Sequence, residues 1–479
     1  MVLPDFKNST QKAGKMKPKN SPLHDPQACL FRVELASLID EQHPLVQLSK
    51  QIDWNRFETE LSSHFSETDG APAKPTRLMV GLNYLKHTFN LSDELVVARW
   101  VENPYWQCFC GMKYFEHVPP IDPSLMTRWR KMIGEAGIEK LLEESIATGF
   151  RTRTVTEKCL ANVNVDTTVQ EKAVAFPTDA RLYFRMLEML VKRSRKTGLE
   201  LRQSYVRVAK RAWVNAGRYF HARQHKRGRR EVKRLKTFLG RLTRDIARRV
   251  EDNPEWRPSF EKLLSLSTRL LSQNQKDKDK IYSLHAPEVE CIAKGKAHKK
   301  YEFGNKAALV TTSRSCFVVG AMGLHGNPYD GHTLSGSLEQ AQRLCGETRK
   351  DRIKRAYVDR GYKGHGYTGA VEVHVCGPGL GRQLSASLRR WCRRRPAIEP
   401  VIGHMKNDGH LGRNYLLGEM GDRVNVMLSG AGHNLRLILA RLANFFASFL
   451  PCPPVFTRFL VAFTVLVATR FRFRPAWAA

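Results

Sequence analysis

Acidic residues are scarce in this chain: 46 Asp and Glu stand against 79 Lys and Arg, a net charge of +33 over 479 residues. The surplus exceeds what solubility requires and points to a polyanionic partner, nucleic acid first. An RNA-coating protein would share it, so charge alone argues for binding and not for catalysis. Long apolar runs are also missing. The C-terminal run 459–469 is much shorter than the roughly 20 residues a membrane-spanning helix needs, and Arg458 and Arg470 bracket it. The first ten residues lack the apolar core of a signal peptide, so no membrane partner is expected. Cysteines are present at 29, 108, 110, 159, 291, 316, 345, 376, 392 and 452, but no CxxC pair occurs. That absence argues against a zinc ribbon and for a reducing, cytoplasmic compartment. Cys108 and Cys110 alone would need two further ligands to hold zinc.

The length implies two or three domains. Residues 1–29 read as a disordered basic tail with little to bury. Residues 30–150 read as a helical N-terminal domain. Its apolar residues recur at helical spacing from Leu35 to Phe65, then through Leu78, Leu82 and Leu85. Ser92 is placed to cap a helix with Asp93 and Glu94 in its first turn. A helix from Asp122-Pro123, a break at Gly134 to Gly137 and a second helix resemble a helix-turn-helix with Arg128, Arg130 and Lys131 toward phosphates. An ordinary helical hairpin with a solvated basic face fits the same pattern.

Residues 180–280 read as a basic helical insertion: from 181 to 280 there are 29 Lys and Arg against 10 Asp and Glu. Its densest part, Arg223, Lys226, Arg227, Arg229 and Arg230, is expected to clamp a DNA backbone. β-branched runs at 306–312 and 315–322 predict a hairpin around Ser313-Arg314, and a helix is expected through Leu338 to Leu344. Residues 450–479 form an atypical apolar tail.

Three carboxylates organise the remainder. Asp166 follows Val163 and Val165, and Asp359 follows Tyr357-Val358 before a Gly turn, so both read as strand-end acids; Glu399 sits where a helix begins. Converging from distant parts of the chain, they would repel one another and hold their protons unless divalent cations neutralised them. The order of elements fits an α/β ribonuclease-H-like catalytic core, 151–179 and 281–449, interrupted by the insertion.

The chain resembles DDE transposases of bacterial insertion sequences, most closely insertion-sequence family five, over roughly residues 30 to 447. The resemblance rests on ValAspThrThrValGlnGluLys at 165–172, AspArgGlyTyrLysGly at 359–364, and Glu399 followed by Lys406 and preceded by Arg395. ArgLeuMetValGlyLeuAsnTyrLeuLys at 77–86, TrpValGluAsnProTyrTrpGln at 100–107 and AsnProTyrAspGlyHisThrLeu at 327–334 add to it. A Tyr of the family pattern is absent: position 392 is Cys, beside Trp391.

The resemblance implies that Asp166, Asp359 and Glu399 hold two Mg2+ ions, with Mn2+ as a substitute, Asp166 bridging them. Lys406 and Arg395 would serve the reacting phosphate. It implies cleavage of the terminal inverted repeats of the element and transfer of 3' strands to target double-stranded DNA, by a homo-oligomer on DNA in the bacterial nucleoid. A decayed transposase that only binds DNA, and a general nuclease of the same fold, are the competing readings. His332 and Thr333 lie on a loop near the site without an assigned role, and His365 and His404 are candidates for supporting groups.

Overall fold

The computed structural model describes residues 32–65, 72–274, 276–293, 300–346, 348–377 and 384–447. The basic tail 1–29 and the apolar tail 450–479 lie outside the described residues.

The N-terminal part is built from short helices: α1 (Leu35–Leu38), α2 (Pro44–Gln51), α3 (Trp54–Leu61), α4 (Thr76–Thr88), α5 (Asp93–Glu102) and α6 (Pro104–Phe109). Pro44 at the first turn of α2, and Asp53, whose side chain accepts from Arg56 N at the start of α3, divide the expected run into separate helices. Ser92 caps α5 as predicted, its Oγ accepting from Leu95 N at 3.1 Å. Next comes α7 (Ser124–Arg151), a helix kinked at Gly134, whose φ of 65° and ψ of −165° suit glycine. Arg128 and Lys131 are exposed on it. Arg130 is not: it is 2 % exposed and donates to Asp93 and Asn83. The expectation that Arg130 faces phosphate is therefore corrected, because it lies on the same buried face as Met126, Trp129 and Ile133.

After the four-residue α8 (Glu157–Leu160), the chain enters the sheet. Its strands are β1 (Asn162–Glu171), β2 (Glu290–Ala293), β3 (Tyr301–Thr312), β4 (Val318–Leu324), β5 (Arg355–Val358) and β6 (Glu372–Val375). The order is β2-β3-β1-β5-β6, with β4 also pairing β3. β3 runs antiparallel to β1 and β4, whereas β5 runs parallel to β1 and β6. β3 and β4 are the predicted hairpin. β1 is ten residues long, so Asp166 sits within it opposite Leu309 and not at its end, a correction to the sequence reading. The cause is that β3 continues beside Thr167 to Glu171 and prolongs the ladder.

Between β1 and β2 lie α9 (Asp179–Thr197), α10 (Val206–His221), α11 (His225–Asp252) and α12 (Arg257–Ser272). They bury a core of their own, with Phe184, Leu187, Leu190, Leu235, Leu239 and Phe260 among its members. A second cluster runs unbroken from the N-terminal helices through the sheet to α16 (Gly418–Ala447), so those two regions share one interior. α16 lies close against α4: a Cβ on Gly432 would stand 2.5 Å from His87 O. Asn434 of α16 accepts from Val318 N at 2.9 Å and donates to Val318 O at 2.8 Å, which satisfies the edge of β4. The other helices are α13 (Asp330–Leu344), α14 (Ala386–Arg394) and α15 (Ile398–Asn407). Among the described residues no helix is long and apolar enough to cross a membrane.

Both ends of the insertion meet at one buried lysine. Lys172 Nζ contacts Asp422 Oδ1 at 2.7 Å and Glu288 Oε1 at 2.9 Å. Lys172→Met strands two carboxylates beside the core, and loss of one partner from a buried ion pair costs about 3 kcal/mol or more. Urea unfolding should show that loss, with the insertion loosening from the sheet; unchanged stability would assign Lys172 no anchoring role.

Candidate active site

Strand pairing brings the first two acids together. Asn164 of β1 is the parallel partner of Tyr357 of β5. Two residues further along each strand are Asp166 and Asp359, which therefore stand side by side on the same face. Asp359 ends its strand as predicted, and its Oδ1 accepts from Gly361 N at 2.9 Å, which turns the chain into Arg360–Tyr362. Glu399 lies in the first turn of α15, as expected.

Arg395, one turn before Glu399, joins all three. Its Nη2 is 2.8 Å from Asp166 Oδ2 and 3.5 Å from Asp359 Oδ2, and its Nη1 is 3.2 Å from Glu399 Oε1. The guanidinium is buried, whereas Glu399 is 62 % exposed along its side chain, so the acids line an open rim around a buried cation. Oxygen donors of this kind suit a hard divalent cation, and one positive group offsets only part of their charge here. Among the described residues no three His, Cys, Asp or Glu side chains are grouped closely enough to hold a metal as they stand. The side chain of Arg395 lies between the three acids.

A fourth carboxylate went unassigned in the sequence reading. Asp330 Oδ1 accepts from Thr167 Oγ1 at 2.7 Å and from Lys306 Nζ at 3.0 Å. A Cβ on Gly361 would meet Asp359 Oδ1 at 3.0 Å and Asp330 Oδ2 at 3.2 Å, so the two acids flank that glycine. Burial, followed by the charges of Asp166, Asp330 and Asp359, holds the Tyr362 hydroxyl far above its ordinary range and keeps it neutral. The signal for Asp330 was the AsnProTyrAspGlyHisThrLeu motif itself, but nothing in one sequence shows that Thr167 and Lys306 converge on it.

The other candidates are placed as follows. Lys406 is in the last turn of α15 and lines a cleft toward α5. Thr333 Oγ1 donates to Asp330 O at 2.7 Å, and His332 packs edge-on against Tyr329. His365 Nδ1 accepts from Tyr367 N, and His404 pairs with Asp408 on the surface. Trp391 stacks on Tyr357 and carries Arg314 over its ring. Cys392 is bonded to Cys376 at the end of β6, a pairing that the cysteine spacing did not suggest. Arg223, Lys226, Arg227, Arg229 and Arg230 are all exposed around the turn from α10 to α11.

Away from the acids, Asp93 joins α5 to α7. Burial raises its carboxyl, but Arg130 and Lys86 outweigh that and bring it down to about 2. Lys86 is itself pushed down to about 8 by burial and by Arg130, so Arg130 is the partner that stabilises the pair. A depressed carboxylate contributes stability that is present above its ordinary 3.8 and lost as pH falls toward 2. The expected contribution is about 2 kcal/mol. Asp93→Asn should remove that share of the acid sensitivity in denaturation curves between those pH values; an unchanged profile would contradict the pairing.

Comparison with known proteins gives two family matches. Residues 33–132 match a family model described as a transposase domain, and residues 271–435 match one described as a transposase DDE domain. The second match implies a ribonuclease-H-like core. A Rhizobium meliloti protein named "Uncharacterized protein ORF8 in nfe locus" is 56 % identical over 195 residues, which cover 41 % of this chain and 94 % of that protein. No solved structure matches.

Proposed function

The chain belongs to the DDE transposases of insertion sequences, metal-dependent enzymes that cut DNA, and from that premise we propose that Asp166, Asp359 and Glu399 are its metal ligands. The observation that carries the reading is their joint contact with Arg395. The metal is taken to be Mg2+, with Mn2+ as a substitute, and the family as insertion-sequence family five. The chain would bind the terminal inverted repeats of its element, cleave the ends and transfer the 3' strands to a target duplex.

Divalent cations at these carboxylates would activate a water or a 3' hydroxyl and stabilise the leaving oxygen of an in-line displacement. The protein's own groups supply the arrangement. The β1 and β5 register fixes Asp166 beside Asp359, and the turn at Gly361 aims the latter. Glu399 approaches from an exposed helix start. Arg395 offsets part of the charge of the acids, and with cations held there its planar fork would suit the phosphate. Lys406 holds a neighbouring phosphate. Asp330, through Thr167 and Lys306, acts as a positioning residue beneath Asp166.

In this reading residues 30–150 form a helical DNA-binding region, 151–179 and 281–449 the catalytic domain, and 180–280 a basic clamp. Arg128, Lys131 and the cluster around Arg227 contact the DNA backbone, and the enzyme assembles as a homo-oligomer on its ends. The test is cleavage of duplexes carrying the repeats that flank the gene against random duplex, with Mg2+. Cutting confined to the repeat boundary supports the reading. Cutting without preference favours a general nuclease, and binding without cutting favours a decayed enzyme.

A further inference from the structure

We infer that the cleft between the start of α5 and the end of α15 holds an unpaired DNA strand beside the cut, with a base against Tyr415. This rests on the DNA-cutting reading and adds to it a site and a ligand class. The cleft encloses about 660 Å3 and is lined by Lys406, Arg413, Tyr415, Asn90, Ser92 and His410. That volume suits a small ligand and not a duplex.

Position is the first argument. Lys406 lies seven residues after Glu399 on one helix, a distance of about 10 Å at 1.5 Å per residue. At 3.4 Å per stacked nucleotide, the cleft is roughly three nucleotides from the cut. The second argument is the lining. Tyr415 is 63 % exposed, and the Arg413 guanidinium stands 5.4 Å from its ring centroid. A basic groove with an exposed aromatic ring is how proteins hold single strands, because unpaired bases offer faces that a duplex conceals.

The acids of the cleft do not oppose this. Asp93 is occupied by Arg130 and Lys86. Glu94 belongs to α5 and Lys406 to α15, so the strand's phosphates belong on the α15 side. The His410 imidazole is pushed down to about 4, chiefly by burial, and leaves the floor neutral.

The backbone that carries the ring is also well bonded. Asn414, the residue before Tyr415, donates to Asp422 Oδ1 at 2.6 Å and to Glu171 O at 2.7 Å, and its carbonyl accepts from Ala173 N at 2.7 Å. The backbone beside the ring is thus tied to β1 and α16 next to the root of the insertion.

The experiment measures anisotropy of a labelled blunt duplex and of the same duplex with a three-nucleotide unpaired extension, using the full chain. A 2-aminopurine in the extension reports stacking. The natural chain should prefer the extended duplex and quench the probe. Tyr415→Ala should lose about tenfold in affinity for the extended duplex, with the blunt duplex changed less than twofold, and Tyr415→Phe should restore both preference and quenching. If the natural chain binds and cuts DNA yet Tyr415→Ala matches it on both duplexes, this inference is overturned and the cutting reading stands. If the natural chain binds neither duplex, both fall.

Discussion

Raising salt from 50 to 200 mM should lower the affinity of the chain for duplex DNA by about 500-fold through phosphate contacts of Arg223, Lys226, Arg227, Arg229 and Arg230. Five phosphate contacts give a slope of about −4.5 in log affinity against log salt, because each releases a condensed counterion. The five cations are exposed around one turn, and α11 is seated there by Gly228, where a Cβ would strike the Phe220 ring at 2.9 Å. Arg227 also lies over Tyr219, with 5.9 Å between its guanidinium carbon and the ring centroid. A fixed cluster of one sign is suited to a backbone, which carries no sequence information. Replacing all five by Ala should make the slope shallower by about four to five, equally on specific and random duplexes. A slope unaltered by the five substitutions would place the clamp elsewhere.

The second large effect is on cutting. Asp166→Asn, Asp359→Asn and Glu399→Gln should each slow cleavage by about 10³-fold or more, since metal stabilisation of the developing charge is worth several kcal/mol and each 1.4 kcal/mol is tenfold. Duplex binding should persist, because each change keeps the shape and removes a negative charge from the neighbourhood of DNA. The contact with Arg395 makes the three variants unequal in a second respect. Asp166 is its nearest partner at 2.8 Å and is the least exposed of the acids, so Asp166→Asn should disturb the resting position of Arg395 most. Loss of binding in step with cleavage would show that the acids hold the fold and not the metals.

Much of this was legible in the residues. Alternation at Val163 and Val165, the hairpin around Ser313-Arg314 and the break at Gly134 each follow from local chemistry, and the structure contains all three. The proximity of Asp166, Asp359 and Glu399 was expected from the resemblance, whereas the register of β1 against β5 is what explains it physically. Other features depend on partners far along the chain. The length of β1 beyond Asp166 is set by β3, some 140 residues later. Arg130 looked like a surface cation because its neighbours Arg128 and Lys131 are, yet helix phase and Asp93 draw it inward. The contacts of Lys172 and Asp330 and the Cys376–Cys392 bond were invisible for the same reason: each joins residues that lie apart in the chain.

The most direct test of the account is Mg2+-dependent cleavage of labelled duplexes carrying the ends that flank this gene, by the natural chain and by Glu399→Gln side by side. The expected result is cutting at the element boundary by the natural chain, dependent on the metal, and its loss in the variant with binding intact. Cutting by Glu399→Gln at the natural rate would contradict it.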